Sequence, residues 1–366
     1  MKIAFLVVKN INRGGGIEKY TLELGSRLVA RGHDVTVYSM KHYGNVPPMV
    51  NGMRIVPVPT IRHRALEKIV AGGTGAFKAL ALPNDTIMHF HATGPGLFAW
   101  MSRLRGRKCV LQLHGVDWQR SRWGGGLSLA LKVIERAAIR QPHVRTTVSE
   151  SQCRFFSERY GVDVVYIPTG SDIKPHVEAV EILKWGLQPR RYVLFASRLV
   201  REKGAHYLIP AFRRLPTDYH LVVAGDAQGE EEYKKDLREL AGDDPRILFP
   251  GFVEGRPLEE LFSNAAVYVQ PSDVEGLSIA LLEAMSYGLC CLVSDIPENL
   301  EALGGCGARF RNGDIDDLAR QLGPLLTGPS ASGALGEQAR ERVRKHYSWD
   351  LVTDRFEDLY RGLIER

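Results

Sequence analysis

Along the 366 residues, short apolar runs alternate with longer segments whose apolar positions recur at helical spacing. Ile3–Val8 reads as a buried strand, Gly14-Gly15-Gly16 as a turn, Glu18–Arg31 as an amphipathic helix closed by Gly32, and Val35–Tyr38 as a second strand. Further strands are predicted at Thr86–Phe90, Cys109–Leu113, Arg145–Val148 and Val164–Ile167. Each stops at small or polar residues, as in His91-Ala92-Thr93-Gly94, His114-Gly115 and Ser149-Glu150. Leu66–Leu82 has the pattern of an amphipathic helix, with burial in the fold favoured over a place at a domain cleft or on a membrane. Strand and helix alternating in this way predict an α/β protein with parallel sheets whose ligands bind at the carboxyl ends of the strands.

The period breaks between Ser171 and Arg191, where Pro175 and Pro189 stand, and resumes at Arg191–Ala196. With a length beyond a single ordinary core, this predicts two domains, 1–175 and 190–345, and a C-terminal segment, 346–366.

Two corners in the second half carry candidate chemistry. In the first, Ser197-Arg198-Leu199-Val200-Arg201-Glu202-Lys203-Gly204 joins a strand to a helix. Arg198 and Lys203 there suit a diphosphate, because Arg binds two oxygens at once and Lys acts as a point charge. In the second, Val267-Tyr268-Val269 stops at Gln270-Pro271-Ser272-Asp273, and a helix is expected just beyond Glu275. The N–H groups of Gly276, Leu277 and Ser278 would then face an anion. Glu275 and Glu283 lie eight residues apart, about 12 Å along a helix at ~1.5 Å per residue. A nucleotide sugar, with hydroxyls at both ends and phosphate between, has a matching layout.

These residues resemble a known family. Glu275 to Glu283 resembles the E-x7-E motif of retaining GT-B glycosyltransferases, within a stretch, PSDVEGLSIALLEAMSYG, similar to the form found in glycosyltransferase family 4. The 197–204 loop resembles the family's G/S-R-L-x-x-x-K-G element, and 246–253 its V-x-F-x-G-x-V segment. The resemblance implies two Rossmann-like α/β/α domains facing across a cleft, an acceptor-binding first and a donor-binding second, with a C-terminal helix crossing back to the first. It implies retaining transfer of a sugar, without a bound metal or cofactor, to a glycan or lipid-linked acceptor in cell-envelope polysaccharide or glycoconjugate synthesis.

The family pattern also implies roles, residue by residue. Arg198 and Lys203 would hold the leaving diphosphate, Glu275 the sugar hydroxyls, Glu283 the ribose, and Phe252 and Val253 the base. Gly15 and Gly16 would approach the diphosphate, and His114, in the His-Gly after a strand, would lie near the donor sugar. His114, Arg198, Lys203 and Glu275 form the expected catalytic set. His91, Asp117 and Trp118 are the acceptor-side candidates. The string HGVDWQRSRWG is similar to a subset that includes many bacterial rhamnosyltransferases.

Composition narrows the setting. Hydrophobic residues make up 44% and charged ones 25%, the balance of a globular chain. Residues 1–185 hold 26 Lys and Arg against 13 Asp and Glu, a net +13, while residues 186–366 hold 22 against 29, a net −7. Arg103-Leu104-Arg105-Gly106-Arg107-Lys108 and Arg120-Ser121-Arg122-Trp123 read either as solvated charge or as a face for an anionic membrane or acceptor. Nucleic acid is not expected, since no aromatic residues interleave with these charges on a recognisable module. Five cysteines without C-x-x-C spacing signal neither a disulfide framework nor zinc, and fit a cytoplasmic protein, peripheral at most. The acidic run Asp314–Asp317 reads as a helix cap, not a metal site. Two other classes stay open: a nucleotide-sugar epimerase of the same architecture, and a non-catalytic nucleotide- or glycan-binding protein.

Overall fold

A computed structural model describes residues 1–12, 15–63, 66–116, 125–227 and 230–365. The chain divides into two units, Met1–Thr169 with Trp349–Arg366, and Gly170–Ser348. Each is built on its own sheet.

The first unit runs β1 (Lys2–Val8), α1 (Gly16–Ala30), β2 (Asp34–Met40), β3 (Met49–Val50), β4 (Met53–Val58), α2 (Glu67–Ala79), β5 (Thr86–His91), α3 (Thr93–Gly96), α4 (Ala99–Arg103), β6 (Cys109–Leu113), α5 (Gly125–Ile139), β7 (Val144–Thr147), α6 (Glu150–Tyr160) and β8 (Val165–Tyr166). Its sheet order is β3-β4-β2-β1-β5-β6-β7-β8, parallel except for the short β3–β4 pair. Strand order reverses between β1 and β5, and a crevice is expected at the carboxyl ends of strands flanking such a reversal.

Successive β1 side chains point to opposite faces, so Ile3 and Phe5 enter one core while Ala4 and Leu6 enter another. The predicted 66–82 helix is α2, and it packs on β1 and β4 with Ala71, Ala76 and Ala79 buried in the second core. Arg107, expected among solvated or anion-facing charges, is instead fully buried. Its guanidinium donates to the carbonyls of Ala79, Leu80 and Leu82, which closes the C-terminus of α2.

The second unit runs β9 (Tyr192–Ala196), α7 (Ala205–Arg213), β10 (His220–Ala224), α8 (Glu231–Ala241), β11 (Ile247–Gly251), α9 (Arg256–Asn264), β12 (Val267–Gln270), α10 (Ile279–Ser286), β13 (Cys290–Ser294), α11 (Pro297–Leu303), β14 (Ala308–Phe310), α12 (Ile315–Thr327) and α13 (Pro329–His346). Its six strands are all parallel, in the order β11-β10-β9-β12-β13-β14, and the reversal lies between β9 and β12. Asp314 caps α12 as predicted, its carboxylate accepting from Asp317 N at 2.9 Å.

The segment expected as a linker is tied into this unit. The backbone N–H groups of Val180, Glu181 and Ile182 all donate to the buried Glu260 carboxylate of α9, and Val177 N donates to Ser263 Oγ. Burial pushes the Glu260 carboxyl up, but these backbone bonds and Arg256 outweigh it and hold it below its ordinary value. The returning tail is α14 (Trp349–Glu365), and it begins three residues later than expected because His346 closes α13. Trp349, Val352, Phe356, Tyr360 and Leu363, spaced at helical intervals, bury its apolar stripe in the first core beside α1.

Candidate active site

In the second unit, the loops after β9 and β12 meet at the strand-order reversal. Gly204 sits in the left-handed region at φ +72°, and a Cβ there would lie 1.8 Å from the carbonyl oxygen of Pro271. Only glycine lets the backbone of the Lys203 loop come this close to the β12 loop. Asp273 N donates to Glu202 O at 2.9 Å and fastens the same two loops. Gly225, at φ +146°, allows a similar approach from the β10 loop, since a Cβ would lie 1.8 Å from Ser197 O.

This packing brings Lys203 Nζ to 2.6 Å from Glu275 Oε1, with both side chains largely buried. The same oxygen accepts from Gln270 Nε2 at 2.6 Å. Gln270 is itself oriented by Tyr268 OH, which donates to its Oε1 at 2.6 Å, while its amide nitrogen also donates to Ser272 Oγ at 2.6 Å. Gln270 and Tyr268 carried no site expectation; the clue is a polar residue ending an apolar strand. Arg198 is exposed in the loop that leads to Lys203, and Glu283 is half-buried on α10. Phe252 is 53% exposed and Val253 half-buried just after β11, two strand spacings from β9, or about 10 Å at ~4.8 Å each.

The helix start differs from the expected one. α10 begins at Ile279, and Ser278 is its N-cap, accepting from Leu281 N at 3.2 Å. Gly276 and Leu277 therefore precede the helix, and Glu275 is not on it. A serine cap decides the boundary, because its side chain satisfies a helix-start N–H that glycine cannot. Beside the ion pair, burial raises the Asp273 carboxyl above its ordinary value against hydrogen bonds from Asn312 and Tyr207. Glu202 is buried with neither carboxylate oxygen meeting a donor among the described residues.

In the first unit, the ends of β5 and β6 and the start of α1 converge. His91 and His89 are buried on the face of β5 that also packs Phe5. His91 Nε2 lies 3.2 Å from Thr21 Oγ1, and its Nδ1 lies 3.1 Å from Nε2 of His114. His114 is half-buried, its ring edge-on to Tyr20 at 4.9 Å between centroids. Burial lowers the His91 imidazole far below its ordinary pKa, with the nearby His114 adding to the effect. His91 is thus corrected as an acceptor contact: the residue is 1% exposed and both ring nitrogens face protein atoms. Asp117, Trp118 and the 120–123 basic cluster lie outside the described residues.

Gly15 is the N-cap of α1, which begins at Gly16. A Cβ on Gly15 would lie 2.0 Å from Glu18 Oε2, and Glu18 Oε1 accepts from Lys9 N at 2.9 Å. An anion at this helix start is thus the protein's own carboxylate. Among the described residues, no group of three His, Cys, Asp or Glu is arranged to hold a metal ion.

Comparison with known proteins gives concordant results for both units. The profile of "Glycosyl transferases group 1" matches residues 182–342, and that of "Glycosyltransferase Family 4" matches residues 14–174. A GDP-mannose-dependent alpha-(1-6)-phosphatidylinositol monomannoside mannosyltransferase of Mycobacterium tuberculosis is 28% identical over 96% of this chain and 95% of its own. A phosphatidyl-myo-inositol mannosyltransferase of Mycolicibacterium smegmatis is 26% identical over 98% and 93%. Among solved structures, sucrose-phosphate synthase of Thermosynechococcus elongatus superposes with a TM-score of 0.85 at 21% identity, covering 100% and 99% of the two chains. Anabaena HepE in complex with UDP superposes with a TM-score of 0.80 at 18% identity, covering 99% and 100%. Two parallel-sheet α/β units of this kind are the GT-B fold.

Proposed function

The chain belongs to the group 1, family 4 glycosyltransferases, and on that premise we propose that it moves a sugar from a nucleoside-diphosphate sugar to a hydroxyl of a lipid-linked or glycan acceptor, with retention at the anomeric carbon. The observation that carries this reading is the Lys203–Glu275 pair, fixed at the strand-order reversal of the second sheet by Gly204 and Gln270.

Arg198 and Lys203 hold the diphosphate and offset the charge that grows on it as the sugar leaves. Glu275 holds sugar hydroxyls and Glu283 the ribose, while Phe252 and Val253 flank the base. The strand order supports this layout, because base, diphosphate and sugar candidates follow β11, β9 and β12 in sequence across one sheet edge. Gly276, Leu277 and Ser278 offer backbone N–H groups beside the sugar end. Glu275 Oε1 already receives Lys203 and Gln270, which suits a hydrogen-bonding role better than attack on carbon. Attack by the acceptor hydroxyl on the face the diphosphate leaves would need no protein nucleophile and no metal. In the first unit, His114 meets the sugar or the incoming hydroxyl. A diphosphate contact at Gly15 and Gly16 must be made past the Glu18 carboxylate.

The mycobacterial relatives make GDP-mannose the first donor and a phosphatidylinositol lipid the first acceptor to try. No described helix is long and apolar enough to cross a membrane. Leu129 and Val133, one turn apart on α5, are exposed beside the basic Arg136 and Arg140, which supports reversible contact with an anionic membrane face.

Nucleoside diphosphate release from GDP-, UDP-, ADP- and dTDP-sugars, with and without lipid or glycan acceptor, tests the reading. Release from one donor, stimulated by one acceptor and giving a product of the donor's anomeric configuration by NMR, is expected, with activity unchanged by EDTA. A sugar changed without acceptor would make the protein an epimerase. No release and no nucleotide binding would remove catalysis from the account.

A further inference from the structure

Lys9, the residue that leaves β1, is held at every polar group it carries. Its N–H donates to Glu18 Oε1 of α1 at 2.9 Å, its carbonyl accepts from Ser39 Oγ of β2 at 3.3 Å, and its ammonium lies 3.0 Å from Glu67 Oε1 of α2. Asn10 follows, its side-chain amide donating to the Tyr43 carbonyl at 3.2 Å and its Oδ1 accepting from Asn12 N at 2.9 Å. Three elements thus fix the exit of β1, and the Glu18 contact ties it to the start of α1. The other Glu18 oxygen lies over Gly15. A Cβ on Gly15 would meet Glu18 Oε2 at 2.0 Å, Cδ at 3.0 Å and Cγ at 3.7 Å, and these are its three nearest atoms. The Gly15 backbone itself, at φ −106° and ψ 156°, is extended and open to any residue. A side chain at Gly15 is therefore excluded by the buried Glu18 and not by backbone conformation.

We infer that Glu18 is a positioning residue that braces the glycine turn between β1 and α1, and that Gly15 is glycine to admit the Glu18 carboxylate rather than to let a ligand approach. Glu18 stands at the third position of α1, where a glutamate can fold back over the N-cap residue and the helix dipole favours its charge. From there it holds the Lys9 N–H with one oxygen and fills the space beside Gly15 with the other. One carboxylate thereby sets both ends of the turn, so the turn keeps its shape without a ligand. The part that the turn plays in sugar transfer rests on the transferase reading above; the brace does not.

The test is a double-mutant cycle on the full-length chain, comparing wild type, Gly15→Ala, Glu18→Ala and the two combined, by urea melts and by hydrogen exchange at the Lys9 amide. Gly15→Ala is expected to lower the melt midpoint of wild type, and to lose most of that effect once Glu18→Ala has removed the carboxylate. Exchange at the Lys9 amide is expected to rise about tenfold in Glu18→Ala, and to stay slow in Glu18→Gln, whose amide oxygen still accepts. Turnover is expected to fall about tenfold in Glu18→Ala and to return in Glu18→Gln, while both variants bind GDP and UDP with the Kd of wild type. A Gly15→Ala effect of equal size with and without Glu18, or Lys9 exchange that ignores Glu18→Ala, would overturn the inference. Wild-type turnover in Glu18→Ala would also overturn the positioning role. The expected cycle in a protein that releases no nucleoside diphosphate would uphold the brace and remove only its part in transfer.

Discussion

The two units place their polar side chains at the same point of similar sheets, yet solve the burial of those groups in different ways. At the β9–β12 edge the central groups are charged, and Glu275 is held by Lys203 and by the Gln270 amide. At the β1–β5 edge they are imidazoles and a hydroxyl, and burial keeps His91 neutral. A buried ion pair resists loss of either partner, because the remaining charge is left without compensation. A neutral network that loses one member leaves an uncharged group unpaired, a cost of about 1–3 kcal/mol, and loses the direction of its hydrogen bonds. The difference suits the proposed roles, with diphosphate charge offset at the charged edge and hydroxyls read at the neutral one.

The largest effect is therefore expected from Lys203→Ala, which should lower turnover about 10²–10³-fold and also cost on the order of 3–5 kcal/mol of stability in the second unit. Lys203→Met combined with Glu275→Leu separates the two effects: denaturant melts should recover much of the stability while turnover stays lost. Recovery of turnover in that pair would break the proposed division of labour.

Gly204→Ala comes next. It forces a side chain into the left-handed region against Pro271 O, and a loss of about 2–3 kcal/mol is expected in urea melts. Gly225→Ala, whose added Cβ would meet Ser197 O at the start of the same 197–204 loop, should likewise lower stability.

A smaller, pH-dependent effect belongs to the first unit. Burial pushes the Glu357 carboxyl up, but hydrogen bonds from His33 and Arg31 outweigh it and leave it below its ordinary value. A depressed folded-state pKa contributes stability above the unfolded value, near 4.3, and that contribution is lost as pH falls through the folded value. Wild type should thus be more stable than Glu357→Gln at pH 7, with the gap closing below about pH 4. A constant gap in thermal melts across that range would show that Glu357 does not anchor α14 by charge. The smallest change is expected for Phe252→Ala, a few-fold rise in the donor KM with kcat unchanged.

Much of the fold was legible because buried parallel strands are continuous apolar runs, as at Ile3–Val8, and because Arg198-Leu199 and Lys203-Gly204 keep a recognisable spacing. Less legible were features set by distant side chains. The 171–191 segment lacks a period because its order comes from Glu260 and Ser263 on α9. The start of α10 was misplaced because Glu275 and Gly276 look like a helix start, while Ser278 makes the cap. His91 reads as a polar strand end at a site, yet lies under α1, where Thr21 meets it. Arg107 reads as surface charge until its three carbonyl partners are seen.

In the proposed function the nucleotide end of the donor is held by the β9–β12 edge and not by the histidine edge. Calorimetric titration of GDP and UDP into wild type, Lys203→Met with Glu275→Leu, and His114→Ala separates the two edges. The double variant is expected to bind the preferred nucleotide at least about tenfold more weakly, a loss of ~1.4 kcal/mol or more, while His114→Ala binds it as wild type does. Undiminished binding by the double variant, with loss in His114→Ala, would assign the nucleotide to the histidine edge instead.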